Sequence, residues 1–198
     1  MSLIENGRLN SSFIWLNESE YRIDGESLIM ITQPETDFWQ RTHYGFRRDN
    51  GHCLLANESK DFCMSVKTEY HAAAQYDQAG LFVRIDSENW IKTSTEYESE
   101  MHSRLGSVVT NNGYSDWASI DVEGPVNEMW YRIQSKNALQ DYLIEYSPDG
   151  KLWKQLRITH LLNEIDMVKI GIYACSPMKS SFEAKYTRFE ITESQWSA

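Results

Sequence analysis

Apolar and polar positions alternate with period two along most of the chain, and nowhere more clearly than over residues 76–98. On one arm Ala79, Leu81, Val83 and Ile85 point one way, while Gln78, Gly80, Phe82 and Arg84 point the other. After Asp86-Ser87-Glu88-Asn89, Ile91, Thr93, Thr95 and Tyr97 continue one face, and Trp90, Lys92, Ser94, Glu96 and Glu98 the other. This pattern predicts a β-hairpin with one core face. Its opposite face gathers an amide, cations, aromatic rings and carboxylates, a mixture that marks a candidate site.

The same reading predicts short strands at 13–15, 21–23 and 27–32, the last two joined at Asp24-Gly25, a hairpin dipeptide. Further strands are expected at 62–70, at 107–110 and from 115 across an Asn112-Gly113 turn, and at 129–134. A second hairpin is expected over 142–156, turning at Ser147-Pro148-Asp149-Gly150, which suits a type I turn followed by a left-handed glycine. Strands at 168–174 and 185–192, with Phe189 and Ile191 inward, complete the set. Residues 41–61 read as a long polar connection, 99–104 as a turn and 161–166 as a short helix. Short strands separated by frequent turn signals indicate an antiparallel sandwich, and 198 residues fit a single domain spanning 1–198.

Composition narrows the function. A formal net charge of -10, with Arg47-Arg48 as the densest basic pair, argues against nucleic acid as a partner. No window is apolar enough to span a membrane, and the first residues lack a signal-peptide pattern, so a cytoplasmic location is expected. Three cysteines without framework spacing fit reduced thiols, and the sequons at Asn10, Asn17 and Asn57 are expected to be unused. The five histidines lack metal-ligand spacing, and no phosphate loop or nucleophile elbow is present, so no metal and no cofactor is expected.

Several stretches, in order, carry a family resemblance: Thr36-Asp37-Phe38-Trp39, Tyr76-Asp77-Gln78-Ala79-Gly80-Leu81, Trp90-Ile91-Lys92 followed by Glu96, and Ser115-Asp116-Trp117. They continue with Tyr146-Ser147, Asp149-Gly150, Arg157, Val168-Lys169-Ile170-Gly171 and Ser176-Pro177. With them the chain resembles the regulation-of-enolase protein family of the concanavalin A-like lectin/glucanase superfamily. Thr93-Ser94-Thr95 departs from the small, glycine-containing residues more usual there. The resemblance implies an all-β antiparallel jelly-roll sandwich of two curved sheets, with ligands on the concave face of one. It also implies a role in regulating enolase, with enolase or another protein as partner.

Two readings of the polar face follow. As a binding site for a carbohydrate or small molecule, it uses Trp39, Trp90 and Trp117 as stacking rings, with Gln78, Lys92, Glu96, Asp116 and Arg157 as hydrogen-bonding groups. The plainer reading makes Lys92, Glu96 and Arg157 an ion-pair network, the tryptophans seals of the sheet edges and Trp39 a packed turn residue. A non-catalytic regulatory or binding protein of carbohydrate metabolism is the expectation. The alternative is a glycoside hydrolase using Glu96 and Glu98, which share a face at alternate positions.

Overall fold

Period-two alternation becomes two seven-stranded antiparallel sheets packed face to face in a jelly-roll sandwich, seen in a computed structural model that describes residues 1–197. In chain order the strands begin with a short ribbon, β1 (Ile4–Glu5) and β2 (Arg8–Leu9), then β3 (Phe13–Leu16), β4 (Glu20–Asp24) and β5 (Ser27–Ile31). A small hairpin, β6 (Phe38–Gln40) and β7 (Arg47–Asp49), precedes β8 (His52–Glu58), β9 (Phe62–Tyr70), β10 (Gln78–Arg84) and β11 (Trp90–Ser99). The chain continues through β12 (His102–Asn111), β13 (Tyr114–Glu123), β14 (Glu128–Lys136), β15 (Asp141–Ser147), β16 (Lys154–His160), β17 (Val168–Cys175) and β18 (Glu183–Glu193). The first sheet runs β13-β12-β11-β10-β17-β8-β3 and the second β16-β15-β14-β9-β18-β5-β4.

The core lies between the sheets. Leu81, Val83, Ile91, Ile170 and Ile172 from the first meet Met64, Val66, Tyr131, Ile133 and Ile144 from the second, all fully buried. Polar pins cross this core at Thr95, whose backbone N–H donates to the Tyr131 hydroxyl at 2.7 Å and whose carbonyl accepts from Tyr70. Turn chemistry was legible: Asn112 and Gly113 both adopt positive φ at the β12–β13 turn, and Gly150 sits at φ 70 after Pro148-Asp149.

Three expectations are corrected. The polar connection over 41–61 contains β6, β7 and the buried strand β8, which lies between β17 and β3. His52-Cys53-Leu54-Leu55-Ala56 does not alternate because both of its faces are covered, and a strand buried on both faces loses the period-two signal. The turn over 99–104 is only Glu100-Met101, and β12 begins at His102. The short helix at 161–166 is absent: the described residues contain no helix, and Leu161 is instead anchored by its N–H to the Gln140 carbonyl at 2.9 Å.

Candidate functional site

Strand register assembles the concave face of the first sheet row by row. One row reads Tyr173, Gly80, Ser94, Gly106 and Ser119 across β17, β10, β11, β12 and β13. Of its members, Ser94 and Gly106 are small and form the floor of a groove. On one side lies the row Cys175, Gln78, Glu96, Arg104 and Asp121; on the other, Gly171, Phe82, Lys92, Val108 and Trp117. Gly106 is required at the floor, because a Cβ there would stand 2.6 Å from the Ala118 carbonyl and 3.0 Å from Trp117 Nε1.

The groove encloses about 550 Å³, within the usual range of small-molecule sites. Trp39, Tyr44, Phe46 and Arg48 of the β6–β7 hairpin wall one side, Arg104 and Trp117 another, with Gln75 and Tyr76 before β10 and Pro177 and Met178 after β17 closing the rest.

Lys92 is the buried charge of the site. Its Nζ lies 3.3 Å from Asp37 Oδ1, and its side chain is only 6% exposed. Burial opposes the charge, but attraction from Asp37 and the other neighbouring negative groups outweighs it and raises the ammonium above its ordinary value. Glu96, partly buried, accepts a 2.8 Å hydrogen bond from Gln78 Nε2. Burial pushes its carboxyl up to about 8, against the pull of Lys92 and with Asp37 and Glu98 adding to the rise. At neutral pH Glu96 is therefore mostly a neutral acid, able to donate a proton in a hydrogen bond. Below it the Tyr173 hydroxyl lies 3.0 Å from Gln78 Oε1 and 2.7 Å from Ser94 Oγ, fixing the Gln78 amide. Glu98 is held by Gln75 Nε2 at 2.8 Å and by Arg104, whose Nε is 3.2 Å away and whose guanidinium lies 5.3 Å from the centre of the Trp117 ring.

The structure brings Trp39, Gln78, Lys92, Glu96 and Trp117 together in this groove. Trp90, Asp116 and Arg157 lie elsewhere. Trp90 shares the concave face but is fully buried: the β6–β7 hairpin folds across that end of the sheet and packs Phe38 against Phe82, Trp90 and Tyr173 in a second hydrophobic core. Its ring stacks on Phe82 at 5.5 Å and is closed to any ligand. Asp116 pairs in register with the core residue Val109, so its side chain points to the opposite side of β13 from Trp117. There it meets Arg157 of the second sheet at 3.0 Å, an ion pair that clips the sandwich edge. The expected Lys92–Glu96 pair is also replaced, since Lys92 takes Asp37 and Glu96 takes Gln78.

Asp37, Arg104, Tyr44, Phe46 and Tyr76 escaped the sequence reading as groove residues. Arg104 was within reach, because a tight turn after Ser99 places it opposite Glu96. Asp37 does cap its own backbone, accepting from the Phe38 N–H at 2.7 Å, but its approach to Lys92 is a purely tertiary contact.

Comparison with known proteins agrees with the resemblance drawn above. A family model described as "Protein of unknown function (DUF1349)" matches residues 15–194. "Regulation of enolase protein 1" of Saccharomyces cerevisiae is 33% identical over 180 residues, covering 90% of this chain and 88% of that protein. A crystal structure of a functionally unknown protein from Saccharomyces cerevisiae superposes with a TM-score of 0.85 at 32% identity, over 92% of this chain and 97% of that one. A GH43 protein from Bacillus licheniformis superposes at 0.73 over 94% of this chain and 37% of its own; at 15% identity it shares the fold alone. The family match over residues 15–194 and the close likeness to the yeast protein together place the chain in the DUF1349 family.

Proposed function

We propose that the concave groove binds a carbohydrate or another small polar molecule, and that the protein acts through this binding as a cytoplasmic regulator of carbohydrate metabolism. One observation carries this reading: a small-residue floor at Ser94 and Gly106 shares one groove with the rings of Trp39 and Trp117 and with the fixed polar groups Lys92, Gln78 and Glu96. Rings supply flat apolar contact and the polar groups set orientation, which is what a polyhydroxylated ligand needs. The name of the yeast relative, "Regulation of enolase protein 1", supports a regulatory rather than a degradative role, and enolase is the first protein partner to test.

The test is a thermal-shift screen of glycans and metabolites followed by calorimetry, because a ligand that binds only the native state raises its melting temperature. Trp117→Ala and Glu96→Ala should each weaken a hit at least tenfold while remaining folded. If both bind every hit as the parent does, the groove is not the site. If nothing shifts, co-purification with enolase becomes the decisive measurement.

A second reading, glycoside hydrolysis, is favoured by the Glu96 carboxyl near 8, which holds a proton for a leaving group at neutral pH. Glu98, two residues further along β11 at the register shift between Tyr97 and Ser99, also lines the groove. However, Glu98 is engaged by Arg104 and Gln75. Reducing-sugar release that disappears in both Glu96→Gln and Glu98→Gln would establish hydrolysis.

A further inference from the structure

Within the β6–β7 hairpin, Arg47 and Arg48 are adjacent and diverge. Arg48 pairs in register with Trp39 and Arg47 with Gln40, so the two side chains leave opposite faces of the hairpin. Arg47 turns to Glu88 at 3.4 Å. Arg48 faces the groove with Trp39, its guanidinium 5.9 Å from the centre of the Phe46 ring, and meets no carboxylate among the described residues. The two other groove cations are already held, Lys92 by Asp37 and Arg104 by Glu98.

Tyr44 and Phe46 continue the aromatic wall outward from Trp39. Their rings stack at 5.5 Å and 18°, and Tyr44 meets Trp39 edge-on at 5.5 Å. Both are exposed, at 57% and 42%, in a protein that buries most of its large rings. The hairpin that carries them is fixed: Arg84 grips Asp49 through two hydrogen bonds of 2.7 and 2.8 Å, Arg41 Nη1 donates to the Gly113 carbonyl at 2.6 Å, and the Gln40 N–H donates to Ser115 Oγ at 2.9 Å. An exposed ring pair at a groove mouth, on a hairpin anchored at its base and beside an unpaired cation, is open to a ligand.

We propose that Arg48 and the Tyr44–Phe46 ring pair form an outer subsite for an anionic group, a carboxylate or a phosphate, on a sugar-like ligand whose neutral part rests on the groove floor. The inference rests on the saccharide or small-molecule reading of the groove and adds the charge of the ligand. Arg48 supplies a planar fork matched to either anion, and the rings carry the sugar face next to it. The groove wall also holds Glu35, exposed and without a cation partner among the described residues, but Glu35 lies in the segment bonded to Met178, outside the ring platform.

Binding to the full chain is measured by calorimetry and saturation-transfer NMR for two matched series: glucose, glucuronate and glucose 6-phosphate, and galactose, galacturonate and galactose 6-phosphate. Acetate and inorganic phosphate serve as free-anion controls. In at least one series an acidic member should bind roughly five- to tenfold more tightly than the neutral sugar, the effect of one exposed charge-assisted contact. Arg48→Gln should erase that preference, whereas Arg47→Gln, on the opposite face of the hairpin, should leave it intact. Preference for the uronate alone identifies a carboxylate ligand, and preference for the phosphate alone a sugar phosphate. Equal binding of neutral and acidic members, a preference that survives Arg48→Gln, or free anions binding as tightly as the acidic sugars overturns the outer subsite while leaving the groove as a sugar site. Absence of binding by every member overturns both the subsite and the saccharide reading on which it rests.

Discussion

Two ends of one concave face, built from the same strands with the same alternation, have opposite fates. At one end Phe82 and Trp90 lie beneath the β6–β7 hairpin and form a second hydrophobic core with Phe38 and Tyr173. At the other, Ser94 and Gly106 leave the sheet open, and Lys92, Glu96 and Trp117 border a groove. Lys92 and Trp90 are only two residues apart on β11 and share a face, yet one borders the groove and the other is core. The difference is made by a segment some fifty residues earlier in the chain. The hairpin covers one end, and by stopping at its Tyr44–Phe46 tip it also provides the wall of the other.

The largest expected effect breaks the covered end. Trp90→Ala removes a fully buried ring stacked on Phe82 and should cost about 3–5 kcal/mol, measured by denaturant unfolding. A loss under about 1 kcal/mol would mean that the hairpin does not seal a core there.

Next is the boundary between the ends. Asp37→Asn leaves the Lys92 ammonium buried without its partner and should destabilise by about 2–4 kcal/mol. Asp37→Asn combined with Lys92→Met should recover most of this loss, as expected when an uncompensated charge is the cause.

On the open side the Glu96 carboxyl gives a pH signature. Its folded value, about 8, exceeds the 4.5 of an ordinary glutamate, so the folded state holds the proton more tightly than the unfolded chain. Its contribution to stability is full below about 4.5, falls as pH rises to about 8 and is flat beyond. Glu96→Gln, which cannot ionise, should therefore gain stability relative to the parent across that window. A difference that is constant from pH 4 to 9 would contradict the burial assigned to this carboxyl.

The smallest stability effect belongs to Trp117→Ala at the groove rim. Half-buried, touching Arg104 and packed on the margin of the second core, it should cost about 1–2 kcal/mol, well below Trp90→Ala, while losing ligand binding. A large loss of stability would make Trp117 core, like Trp90, and erase the contrast between the two ends.

Alternation alone established the sandwich, the faces of β10 and β11, and the turns at Asn112-Gly113 and Asp149-Gly150, because side-chain period and turn backbone are local properties. Alternation failed at β8, where cover on both faces removes the polar positions that make a strand visible. It was also silent on sheet membership, leaving open that β9, just before the central hairpin in sequence, lies in the opposite sheet. Asp116 and Trp117 show the same limit at single-residue scale: neighbours on β13, they leave opposite sides, one clipping Arg157 and the other lining the groove.

What the sequence by itself determined was thus the all-β class, the family and which residues share a face. Tertiary structure decided what each face meets. It gave Lys92 to Asp37 and Glu96 to Gln78, buried Trp90 and exposed Tyr44 and Phe46. The physical reason is that alternation fixes a direction, whereas burial and pairing depend on chain segments brought together from far apart.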